Sequence, residues 1–156
     1  MSHGRHVQAY RANQVMTADP GVILLLLYQG AIDFLRQAKD GLEKKDMAAK
    51  GQAISKALAI ISELLASLNF EVGGEVARNL ESLYLFMIDH ITKANLHNDP
   101  TPLDDTMKLL STLKEGWDEA VAMERKRLAQ ESANKTPIGP QPVVSRSHAT
   151  ALIARA

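Results

Sequence analysis

The sequence predicts an all-α protein, an antiparallel four-helix bundle, on three observations. Apolar residues recur at three- and four-residue spacing through four long windows, and no strand-like alternation competes with them. Helix start and stop signals separate the windows: Asp19-Pro20, Asp46, Gly73-Gly74 and Asn98-Asp99-Pro100-Thr101-Pro102. Apolar residues make up 46% of the chain but aromatics only 4%. The core is therefore mostly Leu, Ile, Ala and Met, side chains that lose little freedom in a helix.

Taken in order, residues 1–18 are polar with isolated apolar points, Val7, Tyr10, Val15 and Met16, and read as a flexible N-terminal arm. Helix one is expected over about 19–44. Asp19 can cap its first amides, and Pro20 at the first helical position needs no donor. Ile23, Leu27, Ala31, Leu35, Ala38 and Leu42 define one face, with Leu24, Tyr28 and Ile32 beside it. Helix two, about 46–67, carries Ile54, Leu58, Ile61, Leu65 and Leu68. After a turn ending in Gly73-Gly74, helix three is expected over about 75–96, with Val76, Leu80, Leu83, Met87, Ile91 and Ala94 inward. Helix four, about 101–130, opens with Thr101 as its cap and Pro102 in the first turn. It buries Leu103, Met107, Leu110, Leu113, Trp117 and Val121. Residues 131–156 form a Pro-containing basic C-terminal extension with room for a short fifth helix over 147–156. Short links between long helices favour up-down neighbours, and 156 residues fit one domain.

The formal net charge is zero, which argues against global attraction to nucleic acid or an anionic membrane. The charge is uneven. No acid follows Glu131, while Lys135, Arg146 and Arg155 remain, so of 18 basic and 18 acidic residues the tail takes three basic ones and the body keeps a surplus of three acids. There is no cysteine, hence no disulfide framework, thiolate metal site or cysteine nucleophile. No signal peptide or membrane-length apolar run is visible, and the expected location is the cytoplasm. Glu124-Arg125-Lys126-Arg127 is basic but has no interleaved aromatics for stacking on bases, and reads as a solvated helix end.

The search for catalytic chemistry returns little. The inward Glu-x-x-His pairs of a metal-binding bundle do not occur, nor does a Gly-x-Ser-x-Gly elbow or a phosphate-cradling loop. No metal or cofactor is expected, and the chain does not read as an enzyme. One enzyme-like alternative is a histidine phosphotransfer bundle acting through His90, with Lys93 three residues on to neutralise a phosphoryl group and Ala94 where such domains carry Gly.

The clearest anomaly is the run Val22 to Tyr28, seven apolar residues without a break. A surface helix needs one apolar stripe. At about 100° per residue, Leu24, Leu25, Leu26 and Leu27 cover nearly the whole circumference. Either the arm or the tail covers the outer side, or that side is a groove for a partner helix. The two are compatible, because burying a leucine is worth only about 1.5–3 kcal/mol. An arm held by Val15 and Met16 can thus yield to a longer amphipathic partner. A third reading is a homodimer seam.

Ala9-Tyr10, Asn13-Gln14-Val15, Thr17-Ala18, Pro20, Leu27-Tyr28-Gln29-Gly30-Ala31-Ile32 and Phe34-Leu35-Gln37-Ala38 appear in an order that resembles the flagellin export chaperones, the FliS family. Leu64 to Leu68 before Gly73-Gly74, Asn79-Leu80, Leu83-Tyr84, Met87-Ile88, Ala94-Asn95 and Trp117 agree, so the likeness spans about residues 7–123. The resemblance implies an antiparallel helical bundle without enzymatic activity. It implies that the disordered C-terminal segment of flagellin is the partner, bound 1:1 in apolar grooves so that filament assembly is blocked before export, with the flagellar export gate as a further partner. It also implies an N-terminal arm that covers part of the empty site. The candidate groove, or its arm cover, is then Tyr10, Asn13, Gln14, Val15, Ile23, Leu24, Leu27, Tyr28, Leu83, Tyr84 and Met87. Of the matching apolar positions, Leu27, Ala31, Leu83 and Met87 are expected to be buried instead. Three features depart from the family pattern: Gly21 where an acid is common, Gln29 where Asp is common, and a longer tail.

Overall fold

A computed structural model describes residues 19–135. Among them it has four helices and no strand: α1 Pro20–Glu43, α2 Met47–Ala66, α3 Phe70–His97 and α4 Thr101–Asn134. They pack as a ring in which α1 and α3 each lie between α2 and α4. Cross-links fix three of the four neighbouring pairs as antiparallel. Lys39 pairs with Asp104 at 2.9 Å and Arg125 with Asp19 at 3.5 Å, so α4 runs opposite to α1. Lys50 near the start of α2 reaches Asn95 and Asn98 at the end of α3, and His90 of α3 lies level with Asp105 of α4. The all-α antiparallel bundle is therefore the fold. The arm and the tail beyond Lys135 lie outside the described residues.

Local chemistry sets the helix ends. The Asp19 carboxylate accepts from the amides of Gly21 (2.8 Å) and Val22 (3.2 Å), with Pro20 in the first turn. Asp46 accepts from Ala49 at 3.0 Å. Helix three starts earlier than its sequence suggests. Asn69 caps a single turn from Phe70, accepting from Glu71 and Val72, and the chain then kinks at Gly74, whose φ of +52° suits a residue without Cβ. The turn signal was genuine, but it marks a kink within α3 rather than the gap before it. Helix four is not capped by Thr101: Pro100 holds the cap position, and the Asp99 carboxylate accepts from the Thr101 amide. It also runs on to Asn134, so Arg125, Lys126 and Arg127 stand inside the helix rather than at its end. Arg127 there clasps Glu124 and Glu131, one turn away on either side.

The core is a column of fully buried side chains from all four helices, including Tyr28, Leu35, Ile54, Ile61, Tyr84, Met87, Ile91, Leu103 and Leu110. In α1 the buried line is Leu24, Tyr28, Ala31, Ile32, Leu35 and Ala38, one residue round from the face expected through Ile23 and Leu27, which are only half-buried. In α3 it is Ala77, Leu80, Tyr84, Met87, Ile91 and Ala94. Val76 and Leu83, expected inside, are exposed and half-buried respectively. Both offsets have one cause: where adjacent lines on a helix are equally apolar, periodicity cannot choose between them.

Candidate functional site

The centre of the bundle is closed. The Tyr28 and Tyr84 hydroxyls meet at 2.5 Å, and both rings are fully buried. Burial pushes both phenols above the ordinary tyrosine value, and for Tyr84 the neighbouring Tyr28 adds to the rise. The Trp117 indole N–H from α4 approaches Tyr28 closely enough to ease its ionisation slightly. It falls outside hydrogen-bonding geometry and has no partner among the described residues.

Around this core, the four consecutive leucines of α1 separate by direction. Leu24 is buried. Leu25 and Leu27 are half-buried against the core edges. Leu26 is 45% exposed. The Lys56 ammonium, 5.5 Å from the Phe34 ring centre, marks the side of α1 that meets α2, and Leu27, seven residues before Phe34, shares that side. Leu26 is left the most exposed of the four. A second excess lies on α3, where Leu83-Tyr84-Leu85-Phe86-Met87-Ile88 is another unbroken apolar run. Tyr84 and Met87 enter the core, Ile88 packs at its edge, Leu83 is half-buried, and Leu85 and Phe86 are 51% and 49% exposed. The sequence reading did not place these two outside. The signal was available, because this run has the same surplus as Val22 to Tyr28.

The structure thus divides the expected site residues. Leu24, Tyr28, Tyr84 and Met87 are sealed inside and hold the bundle together. A docking role for them would require it to open. Ile23, Leu27 and Leu83 are half-buried at the surface, two on α1 and one on α3. The expected burial holds for Ala31 and Met87 but is only partial for Leu27 and Leu83. Tyr10, Asn13, Gln14 and Val15 lie outside the described residues. The other candidate, His90, stacks on Phe86 with ring centres 4.5 Å apart, and its Nε2 lies 3.4 Å from an Asp105 carboxylate oxygen. That arrangement ties α3 to α4 with part of the imidazole covered. Among the described residues no group of three or more His, Asp or Glu is placed to hold a metal ion, and no helix is long and apolar enough to cross a membrane.

The bundle thus has a sealed core under surplus apolar surface on two helices. Comparison with known proteins gives it a family. The profile of the family described as flagellar protein FliS matches residues 3–124. The chain belongs to the FliS family of flagellar secretion chaperones. The FliS flagellar secretion chaperone of Vibrio cholerae is 39% identical over 117 residues, which is 72% of this chain and 86% of that protein. The FliSB chaperone of Pseudomonas aeruginosa is 42% identical over 105 residues, 67% of this chain and 83% of its own. The FliS of Salmonella typhimurium is 41% identical over 113 residues, 72% and 84% of the two chains. FliS proteins are chaperones and not an enzyme family.

Proposed function

We propose that this FliS-family chain binds the C-terminal segment of flagellin in the cytoplasm, as a 1:1 complex, and keeps it from polymerising until it is handed to the flagellar export gate. The observation that carries this reading is the apolar surface left outside a closed core: Leu26 on α1, and Leu85 and Phe86 on α3. With half-buried Ile23 and Leu27 on α1 and Leu83 on α3, it forms two strips on different helices. A single short helix covers one strip. A chain that is unfolded beforehand can cover both by wrapping round the bundle, folding as it binds. The arm residues Tyr10, Asn13, Gln14 and Val15 are proposed to cover part of these strips when no partner is present.

The test mixes the protein with a peptide of the flagellin C-terminus and follows helicity and thermal unfolding. Helical signal above the sum of the parts and a raised Tm are expected, since a ligand that binds only the folded state stabilises it. If neither changes, the partner is not flagellin. Sizing the free protein across a concentration series separates this reading from a homodimer seam, which would show a dimer that dissociates on dilution.

A further inference from the structure

We propose that the C-terminal tail, residues 136–156, folds back on its own bundle and covers an apolar patch made by Phe70, Val72 and Val76 at the start of α3. The inference does not depend on which partner the two strips described above take. The side chains of Phe70, Val72 and Val76 are 43%, 40% and 45% exposed, three large apolar side chains open to solvent within seven positions. They straddle the kink at Gly74.

Position makes the tail the natural occupant. His90 lies beside Asp105, and α3 and α4 are antiparallel. Counting 14 residues from each, within regular helix, puts Val76 level with Glu119, so the start of α3 and the far part of α4 share one end of the bundle. From that level α4 climbs to Asn134, about 22 Å further on at the helical rise of about 1.5 Å per residue. The eleven residues 136–146 span up to about 36–40 Å when extended, and Pro137, Gly139, Pro140 and Pro142 disfavour continuing the helix. The chain therefore has the length to reverse and lay 147–156, with Leu152 and Ile153, over the patch.

Charge points the same way. Glu71, Glu75 and Glu119 are exposed around this end, and none pairs with a basic side chain among the described residues. The tail has no acid, and it carries Arg146 and Arg155. Acids beside two of the other exposed apolar stretches are already paired, although Glu81, one turn before Leu85, is not. Asp33, on the Leu26 side of α1, is paired with Arg36; Asp89, near Leu85 and Leu96, is paired with Lys93. The FliS match ends at residue 124, so the tail lies beyond the part this chain shares with its family.

The chain has no cysteine, so Thr150→Cys in the full-length protein accepts a single nitroxide. Amide signals of Phe70, Val72 and Val76 are expected to lose most of their intensity, and those of Met47 and Leu96, at the other end of the bundle, to keep it. The loss should be largely reversed by Arg146→Glu with Arg155→Glu, or in about 1 M salt, where charges are screened beyond about 3 Å. Val76→Asp should also restore the Val72 signal while leaving thermal unfolding nearly unchanged, because the side chain is exposed. Uniform intensities, or losses centred on Leu26 or Leu96, overturn the proposal. So does a loss at Val72 that appears only when spin-labelled protein is mixed with isotope-labelled, nitroxide-free protein, since the occupant would then be a second copy.

Discussion

The hydroxyl of Tyr28 in α1 meets that of Tyr84 in α3 at 2.5 Å, joining two helices that are not neighbours in the ring. One phenol donates to the other within an apolar core, and losing one partner leaves the other buried and alone. Tyr28→Phe and Tyr84→Phe should each destabilise the protein by about 1–3 kcal/mol. Replacing both should cost clearly less than the sum, because the double variant buries no orphan hydroxyl. Urea denaturation of the four proteins gives the coupling directly. Strict additivity would show that the contact contributes nothing of its own.

The same burial predicts a response to alkali. Desolvation raises the pKa of both tyrosines above the ordinary 10.0. The folded state therefore holds its phenolic protons where the unfolded chain has begun to lose them. The stability contributed by the neutral pair is present in full below pH 10 and declines as pH rises above it. The chain has three tyrosines. Absorbance at 295 nm should show two of them silent on a titration past pH 10 until the protein unfolds, when both ionise together. A smooth three-phenol titration of the folded protein would contradict the burial.

The helices were legible in the sequence because their caps are local. Asp19 with Pro20, Asp46, and the Asn98 to Pro102 break each act within a few residues, and three of the four starts fall within a residue of expectation. The exception, α3, has two local signals that compete: Asn69 caps one turn ahead of Gly74, and a glycine that ends one helix can equally kink another. The faces were harder to read. Tyr84 and Val76 are both apolar positions at helical spacing. The hydroxyl of Tyr28 that Tyr84 meets in the core lies 56 residues away in sequence, a partner that no local pattern shows. The surface strips were half visible. The run of leucines in α1 announced itself, whereas Leu85 and Phe86 were hidden behind the strong core signal of Tyr84 and Met87.

At the opposite end of the bundle, Lys50 is nearly buried, and its ammonium donates to the Asn95 carbonyl at 3.2 Å and the Asn98 side chain at 2.6 Å. Asn98 closes α3 in the left-handed conformation, φ +51°. Lys50→Ala should cost about 1.5–3 kcal/mol, the range for hydrogen bonds to a charged group. Asn98→Gly loses the side-chain acceptor but keeps the backbone shape, and Asn98→Ala loses both. Ala should therefore be the worse of the two by about 1 kcal/mol. The ranking, read from urea midpoints, is what tests the account. Equal losses would mean that φ is not under strain.

Gly41 and Gly51 make a matched pair. A Cβ on Gly41 would stand 2.8 Å from the Lys50 backbone nitrogen, and backbone cannot swing aside, so Gly41→Ala must push α1 from α2. A loss of about 1–3 kcal/mol is expected. Gly51 sits in α2 with nothing within 4 Å of where a Cβ would go. Gly51→Ala should therefore gain about 0.5–1 kcal/mol, through helix propensity alone. Thermal unfolding of both variants checks opposite signs for the same substitution. A loss at Gly51 would mean that the open space there is needed for something else.

Leu24 and Leu26, two residues apart, separate packing from binding. Leu24 is buried among the core side chains, and Leu24→Ala should lower stability by about 2–5 kcal/mol. Leu26 faces outward, so Leu26→Asp should leave stability within about 0.5 kcal/mol of the parent. If α1 carries one of the strips on which flagellin docks, Leu26→Asp should nevertheless weaken binding of the flagellin peptide at least tenfold. A charge forced into a desolvated contact costs more than about 1.4 kcal/mol. Isothermal titration against the parent protein measures this, with Leu96→Asp as the control for a generic loss of surface apolarity. Unchanged affinity in Leu26→Asp removes α1 from the binding surface and leaves α3 to carry it. An equal loss in both variants would show that the peptide reads overall greasiness and not a particular strip.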